Sequence, residues 1–313
     1  MTLKSEMQTM VRRIAAKIIS DYPAPPLSHS KDLFDDLEAA AGSARVEGAW
    51  ATLVSEISAA LQMQGVDQFL RLPPIARTLH PRIRSPGRRY VAYLSGSSKF
   101  SAALHKALTE SPVGKPLLSP YYPLSSPLLL QHGYHLVRLL EATDFDLAGV
   151  RLVVEFGGGY GGFFRLLRNL EYRDRYVICD LPAMCALQRF YLRNLFPTEP
   201  GARPPANVQW ISKDVAAALQ RETASSASWP SLFIATWSLS ETPLTVRNEV
   251  ASVLDGFTYI LCAYQRSFGG YDNVQYFEAL QKQLPQFAWR RFECPVYRGN
   301  FYLIGQRQRA GEP

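Results

Sequence analysis

VVEFGGGYGG, residues 153–162, sets five glycines in ten residues directly behind two valines, a glutamate and a phenylalanine. An apolar, β-branched run that ends in glycines reads as a strand opening into a tight turn. The helix-spaced "FFRLLRNL" that follows reads as the helix this turn feeds. Glycine adopts left-handed backbone without penalty and lets another group approach closely. The stretch is therefore a strand, turn and helix built around a close approach, and the question is what approaches.

Outward from that turn, short apolar runs alternate with helical segments from Arg151 to the end. "RLVVEF", "RYVICD", "NVQWI", "SLFIATW" and "TYILCAY" read as strands, each followed by a helix. "FAWRRFEC" and "NFYLIGQ" follow, joined by a turn at Arg298 and Gly299. Alternation of this kind predicts an α/β fold with a mostly parallel, doubly wound sheet. Five strand-helix units closed by an antiparallel pair predict seven strands with an antiparallel last strand, against the six parallel strands of a dinucleotide fold.

Before Arg151 the pattern is helical. Apolar residues recur at helical spacing over 4–21, 31–41, 47–63 and 98–110, between proline-rich breaks such as "YPAPPLS" and "RLPPIA". A connector, "PVGKPLLSPYYPLSSP", leads into one more helix, "LLLQHGYHLVRLLEAT". The expected division is an N-terminal helical lid or accessory region, 1–115, and an α/β domain, 116–313.

With 313 residues, 47% apolar and 19% charged, the chain has the composition of an ordinary globular protein. Its four cysteines form no CxxC pair and lie in apolar stretches, as expected in a reducing, cytoplasmic compartment. The charged N-terminal run is no secretory signal, and the longest uncharged stretch, 116–137, is broken by four prolines, so no transmembrane segment is expected. The net charge of +7 is expressed most locally in "RTLHPRIRSPGRRY", residues 77–90, read as a solvated basic loop or an attractor of an acidic substrate. No nucleic-acid motif accompanies these arginines, so nucleic acid is not expected as a partner. A homo-oligomer is left open.

Two ligands fit the glycines. Gly157, Gly159 and Gly162 satisfy the dinucleotide fingerprint GxGxxG, while Glu155, Gly157, Gly159 and Gly161 satisfy ExGxGxG, a loop that takes the amino-acid end of S-adenosylmethionine. Glu155 favours the second, because a carboxylate repels a pyrophosphate and attracts an ammonium. Asp180, with Leu181 in "CDLP", stands 25 residues after Glu155, where an acid accepts from ribose hydroxyls in either cofactor. Asp214, in "ISKDVAAAL", can take the adenine amino group or cap the next helix.

Four blocks, "VVEFGGGYGGFFRLLRNL", "YVICDLPAMCALQRFYL", "FIATWSLSETPLTVR" and "YILCAYQRSFGGYDNVQYF", resemble in order and spacing those of a sugar O-methyltransferase family. The resemblance spans roughly Leu128 to Gly305. It implies a Rossmann-like class I methyltransferase, S-adenosylmethionine as cofactor, and a sugar hydroxyl of a glycan, glycolipid or nucleotide sugar as acceptor. Two rivals remain: a small-molecule O- or N-methyltransferase, and a noncatalytic S-adenosylmethionine-binding scaffold.

Methyl transfer to a hydroxyl needs alignment and a base that removes the proton. The loops after the fourth and fifth strands face the reacting end. Plant-type O-methyltransferases keep a histidine just before the tryptophan of the fourth-strand block, where this chain has Ala235 and Thr236. Glu241, preceded by Ser240, is the nearest acid and the first candidate base; its other reading is a charge on the next helix's first turn. His132 and His135, three apart on one helix, are the next candidates, or else partners in a structural hydrogen bond. No third ligand accompanies them, so no metal is expected. Ser240, Tyr264, Gln265, Asp272 and Asn273 offer donors and acceptors for a sugar. Tyr264 or Trp237 could stack on its ring, Trp237 also being a cofactor contact or core, and Asp272 could instead cap a helix.

Overall fold

The computed structural model describes residues 27–41, 49–79, 86–196, 207–225 and 228–308. The helix expected over 4–21 lies outside them, as do Arg82 and Arg84 of the basic stretch.

Helices α1 (Ser30–Ala41), α2 (Ala49–Gln64), α3 (Pro73–Leu79), α4 (Pro86–Gly96), α5 (Ala102–Ala107) and α6 (Pro127–Ala142) come first. Then follow β1 (Leu152–Phe156), α7 (Gly162–Asn169), β2 (Arg175–Cys179), α8 (Pro182–Leu195), β3 (Val208–Ile211), α9 (Val215–Ser225), β4 (Ser231–Thr236), α10 (Leu244–Ala251) and β5 (Tyr259–Gln265). A small ribbon, β6 (Ser267–Phe268) and β7 (Tyr271–Asp272), precedes α11 (Asn273–Gln283), β8 (Phe287–Glu293) and β9 (Asn300–Arg307).

Seven strands form one sheet in the order β3-β2-β1-β4-β5-β9-β8. Strands β1 to β5 pair in parallel, and β9 runs antiparallel to both β5 and β8. An antiparallel strand inserted between β5 and β8 separates this sheet from an all-parallel dinucleotide fold. It is the Rossmann-like arrangement of class I methyltransferases that the sequence predicts.

The described residues fall into two compact units. The second holds the sheet, with 138–158, 172–181 and 207 onward. Every residue of β1 is buried, as expected where a parallel strand is covered on both faces. Leu152, Val154 and Phe156 share a core with Phe233, Ile260 and Cys262 of the sheet, Leu219 of α9, Val250 of α10 and Phe277 of α11. The period-two alternation of a strand turns Val153 and Glu155 to the opposite face.

The first unit takes the described residues up to Val137, together with 159–171 and those of 182–206, so α7 and α8 group with the N-terminal helices, as do residues 116–137. Asp36 of α1 pairs with Arg189 of α8 at 2.9 Å, Asp32 pairs with Arg193 at 3.0 Å, and Phe69 lies edge-on to Phe190. Arg165 of α7 is buried in an ion pair with Glu110 and donates to the Thr109 carbonyl. The helix expected over 98–110 shortens to α5, because Ser101 caps it, accepting from the Leu104 amide at 3.1 Å. The expected basic loop is largely helical: Arg77 lies in α3 and pairs with Glu56 of α2, and Arg88 and Arg89 are exposed on α4. Those two helices escape periodicity because each starts at a proline, which also suits a helix's first turn.

Among the described residues no helix is long and apolar enough to cross a membrane, no group of side chains could hold a metal ion, and no disulfide joins the four buried cysteines.

Candidate functional site

The sheet order reverses at β1, whose neighbours β2 and β4 lead away in opposite directions. In open α/β sheets ligands bind at the carboxyl ends of the strands beside such a point. Four sequence-predicted residues of the second unit stand at those ends: Glu155 one residue before the end of β1, Asp180 and Leu181 just past β2, and Asp214 three residues past β3.

Glu155 is buried, and its Oε2 accepts from the Tyr176 hydroxyl at 2.7 Å. Burial pushes its carboxyl up to about 8; the Tyr176 bond opposes the shift and the nearby Asp180 charge adds to it. At neutral pH Glu155 thus carries a proton and does not repel a pyrophosphate. The charge argument against a dinucleotide weakens accordingly, and the position of β9 takes over that discrimination. Asp180 is half-buried, and its Oδ1 accepts from the Leu181 amide at 2.8 Å. Asp214 is exposed with φ 48°, and its carbonyl accepts from the Ala218 amide at 2.9 Å, so its backbone starts α9.

The glycines have separate explanations. Gly157 has φ 79°, and a Cβ there would lie 2.1 Å from the Ser238 Cβ. Ser238 also donates its hydroxyl to the Phe156 carbonyl. The group that comes closest at Gly157 is thus a protein side chain. Gly159 and Gly161 belong to the first unit, both with left-handed backbone, and the Gln188 amide donates to the Gly159 carbonyl at 3.0 Å. At Gly162 a Cβ would lie 3.0 Å from His132 Nε2.

Of the candidate bases, His132 and His135 belong to the first unit and Glu241 to the second. Both histidines are buried on α6. Burial lowers His132 to about 3, and burial together with His132 holds His135 well below its usual value, so both are neutral. His132 Nδ1 has no hydrogen-bond partner among the described residues, so the structural hydrogen bond weighed for it is not formed there.

Glu241 closes a short 3-10 turn, Leu239–Glu241, after β4. It is half-buried, and burial raises its carboxyl to about 7, opposed by the Gln265 amide that donates to Oε1 at 3.2 Å. A carboxylate with a pKa near neutrality is matched to general-base work. Gln265 Oε1 in turn accepts from the Ser240 hydroxyl at 2.8 Å.

The residues expected to bind a sugar divide. Ser240, Gln265 and Asn273 meet around Glu241, but mainly as each other's partners: Asn273 is fully buried, with its amide on the Gln265 carbonyl at 2.9 Å. Asp272 caps α11, accepting from the Gln275 amide at 3.0 Å. Tyr264 is fully buried between Phe277 and Phe301, ring centroids 4.0 and 5.6 Å away, so it offers a sugar no face. Trp237 is half-buried with φ 67°, an outlier for so bulky a residue, and its indole donates to Asn300 Oδ1 at 2.6 Å. Backbone of this kind clusters at functional sites.

Two residues escape the sequence: Ser238, and Arg247, a fully buried arginine on α10. Arg247 closes the block "FIATWSLSETPLTVR", and a lone basic residue in an apolar helical stretch was its only signal.

No family model matches the chain, and no curated protein matches it. Solved structures do. The methyltransferase domain of bacterial CtHen1 is similar over 56% of this chain and 97% of that one, at 7% identity and a TM-score of 0.42. A SAM-dependent methyltransferase from Aquifex aeolicus is similar over 55% and 88%, at 12% identity and TM-score 0.37. MtNAS, in a mutant form, is similar over 98% and 99%, at 15% identity and TM-score 0.37. Likenesses this distant leave the strand order as the ground for the fold.

Proposed function

We propose that the chain is an S-adenosylmethionine-dependent O-methyltransferase, acting in the cytoplasm on a sugar hydroxyl. The observation that carries the cofactor is the pair of acids at the carboxyl ends of β1 and β2, beside the point where the strand order reverses. The donor set suits the group: Glu155 for the ammonium, Asp180 for the ribose hydroxyls, Leu181 beside the adenine, and Asp214 for the adenine amino group. Gly157, Gly159 and Gly161 give the loop its left-handed turns.

When bound, S-adenosylmethionine would supply an activated methyl group to the acceptor oxygen, its sulfur keeping the electron pair of the broken carbon–sulfur bond so that S-adenosylhomocysteine is the leaving group. The acceptor hydroxyl must lose its proton, and Glu241 takes it. The Gln265 amide holds Oε1, which leaves Oε2 for the acceptor. The pKa near 7 lets Glu241 stand charged in part before the reaction and hold the proton after it. Trp237, fixed by Asn300, supplies an aromatic face at the end of β4. The sugar as acceptor rests on the order of the four sequence blocks. A small natural product is the second choice, favoured by the burial of Tyr264, Asp272's capping role and Asn273's inward bonds, which remove three of five polar contacts intended for a sugar.

Calorimetry with S-adenosylmethionine, S-adenosylhomocysteine and NAD, followed by transfer of labelled methyl to glycan extracts and to small phenols, tests each step. Binding of NAD instead overturns the cofactor. Label in phenols but in no glycan overturns the sugar, and cofactor binding with no acceptor in either leaves a scaffold.

A further inference from the structure

The guanidinium of Arg247 is fully buried yet forms no ion pair with a carboxylate among the described residues. Burying a cation without a counter-charge is costly, and such a group is retained only where its hydrogen bonds are used. All its bonds converge on one place. Nε donates to the Thr242 carbonyl at 2.7 Å, Nη2 to the Ser240 carbonyl at 2.5 Å, and Nη1 to Asn273 Oδ1 at 2.7 Å. Ser240 and Thr242 are the two chain neighbours of Glu241. Asn273 passes the constraint on, because its amide donates to the Gln265 carbonyl, and the Gln265 side chain is the partner of the Glu241 carboxylate. The rings of Tyr271 and Tyr276 lie 5.3 and 5.2 Å from the guanidinium carbon and complete its surroundings.

We propose that Arg247 is the positioning residue of the Glu241 carboxylate: it fixes the backbone on both sides of Glu241 and, through Asn273, the strand end that carries the Gln265 amide. This deepens the reading of Glu241 as the base and rests on it. Arg247 touches neither acceptor nor cofactor; it acts by holding one carboxyl oxygen in place so that the other stays presented. The planar fork is needed because three acceptors on two segments, the 239–241 turn with Thr242 and the head of α11, are bridged at once, which a lysine ammonium cannot reproduce in the same geometry. The titratable groups on the surrounding elements are Arg247 and Glu249 on α10, Tyr259, Cys262 and Tyr264 on β5, Arg266 just after it, Tyr271 and Asp272 of the ribbon, and Tyr276, Glu278 and Lys282 on α11. Of these, Arg247 alone donates to the turn among the described residues.

The test needs no acceptor. Infrared difference spectra between pH 5 and 9 follow the protonated carboxyl band of Glu241, identified as the band lost in Glu241→Gln. Arg247→Lys and Asn273→Ser are then titrated in the same way, with melting temperature and near-ultraviolet circular dichroism as folding controls. A midpoint that moves upward in both variants supports positioning, since each loosens the Gln265 bond that favours the charged form. Folded variants with a lower melting temperature and an unmoved midpoint overturn it, since a merely structural arginine gives that result. Should Arg247→Lys fail to fold, Asn273→Ser carries the test, because it breaks the relay from Arg247 to Gln265 and leaves the bonds of Arg247 to the Ser240 and Thr242 carbonyls in place. Full methyl transfer by Glu241→Gln would remove the base and leave the infrared outcome standing, so the two failures are distinguishable.

Discussion

Gly157→Ala tests whether the glycine loop is shaped by a ligand or by the protein. Two costs are built into the position. The backbone is left-handed, at φ 79°, and an L side chain there costs about 1–2 kcal/mol. The new methyl would lie 2.1 Å from the Ser238 Cβ, far inside contact, and relief by local shifts costs about 1–3 kcal/mol. Ser238 cannot swing away freely, because its hydroxyl is bonded to the Phe156 carbonyl beside the glycine. The expected loss is therefore about 2–5 kcal/mol with no cofactor present. A double-mutant cycle separates the terms. In a Ser238→Gly background the collision is gone and only the backbone cost remains, so the coupling should be about 1–3 kcal/mol. Urea titrations of the four proteins, followed by circular dichroism, measure it. Coupling below about 0.5 kcal/mol, the ordinary scatter of independent sites, would show that Ser238 is not why residue 157 is glycine. A stable Gly157→Ala protein that merely fails to bind S-adenosylmethionine would return the explanation to the ligand.

Asp180→Ala should weaken S-adenosylmethionine by about 1.5–3 kcal/mol, the worth of hydrogen bonds to a charged group, and unchanged affinity in calorimetry would remove the ribose role. Glu155 carries its proton at pH 7, being raised to about 8, so an ammonium that engages the carboxylate should expel that proton. Binding heats in phosphate and Tris buffers should differ accordingly, and the difference should vanish in Glu155→Gln; equal heats in wild type would sink the pairing. His132 is held at about 3, below its unfolded value, so the unfolded chain takes up its proton first, and stability present above about pH 6.5 is lost as pH falls toward 3. His132→Gln should flatten that loss in denaturant titrations at pH 7, 6 and 5, and identical slopes would contradict the burial shift. Breaking the buried Arg165–Glu110 pair by Glu110→Ala should cost about 3–5 kcal/mol, measured by urea unfolding, and a loss under 1 kcal/mol would mean that the pair is solvated.

The strands were legible because each is a compact apolar run bounded by polar or glycine residues, and the count of seven with an antiparallel closing pair followed from the number of runs and the turn at Arg298 and Gly299 that joins the last two. The placement of Glu155 and Asp180 at strand ends was legible for the same reason, because each stands at the close of such a run. The roles around Glu241 were not. Gln265, Asp272 and Asn273 advertise hydrogen-bonding capacity in the sequence, but capacity has no direction until the fold supplies partners. Asp272 spends its capacity on the Gln275 amide and Asn273 on Arg247 and the Gln265 carbonyl. The close approach at Gly157 comes from Ser238, and no local pattern announces a contact across so long a separation. Trp237 marks the opposite case. Its left-handed backbone has no sequence signature, yet the strain persists because its amide donates to the Ala263 carbonyl at 2.6 Å and its indole is held by Asn300. That strain is held from both sides, two residues before the turn that ends in Glu241, and backbone of this kind clusters at functional sites. The same inward bonding that occupies Asn273 also anchors the strand end whose Gln265 amide meets Glu241, so the polar residues of β5 and α11 spend their hydrogen bonds on one another and on the Glu241 carboxylate.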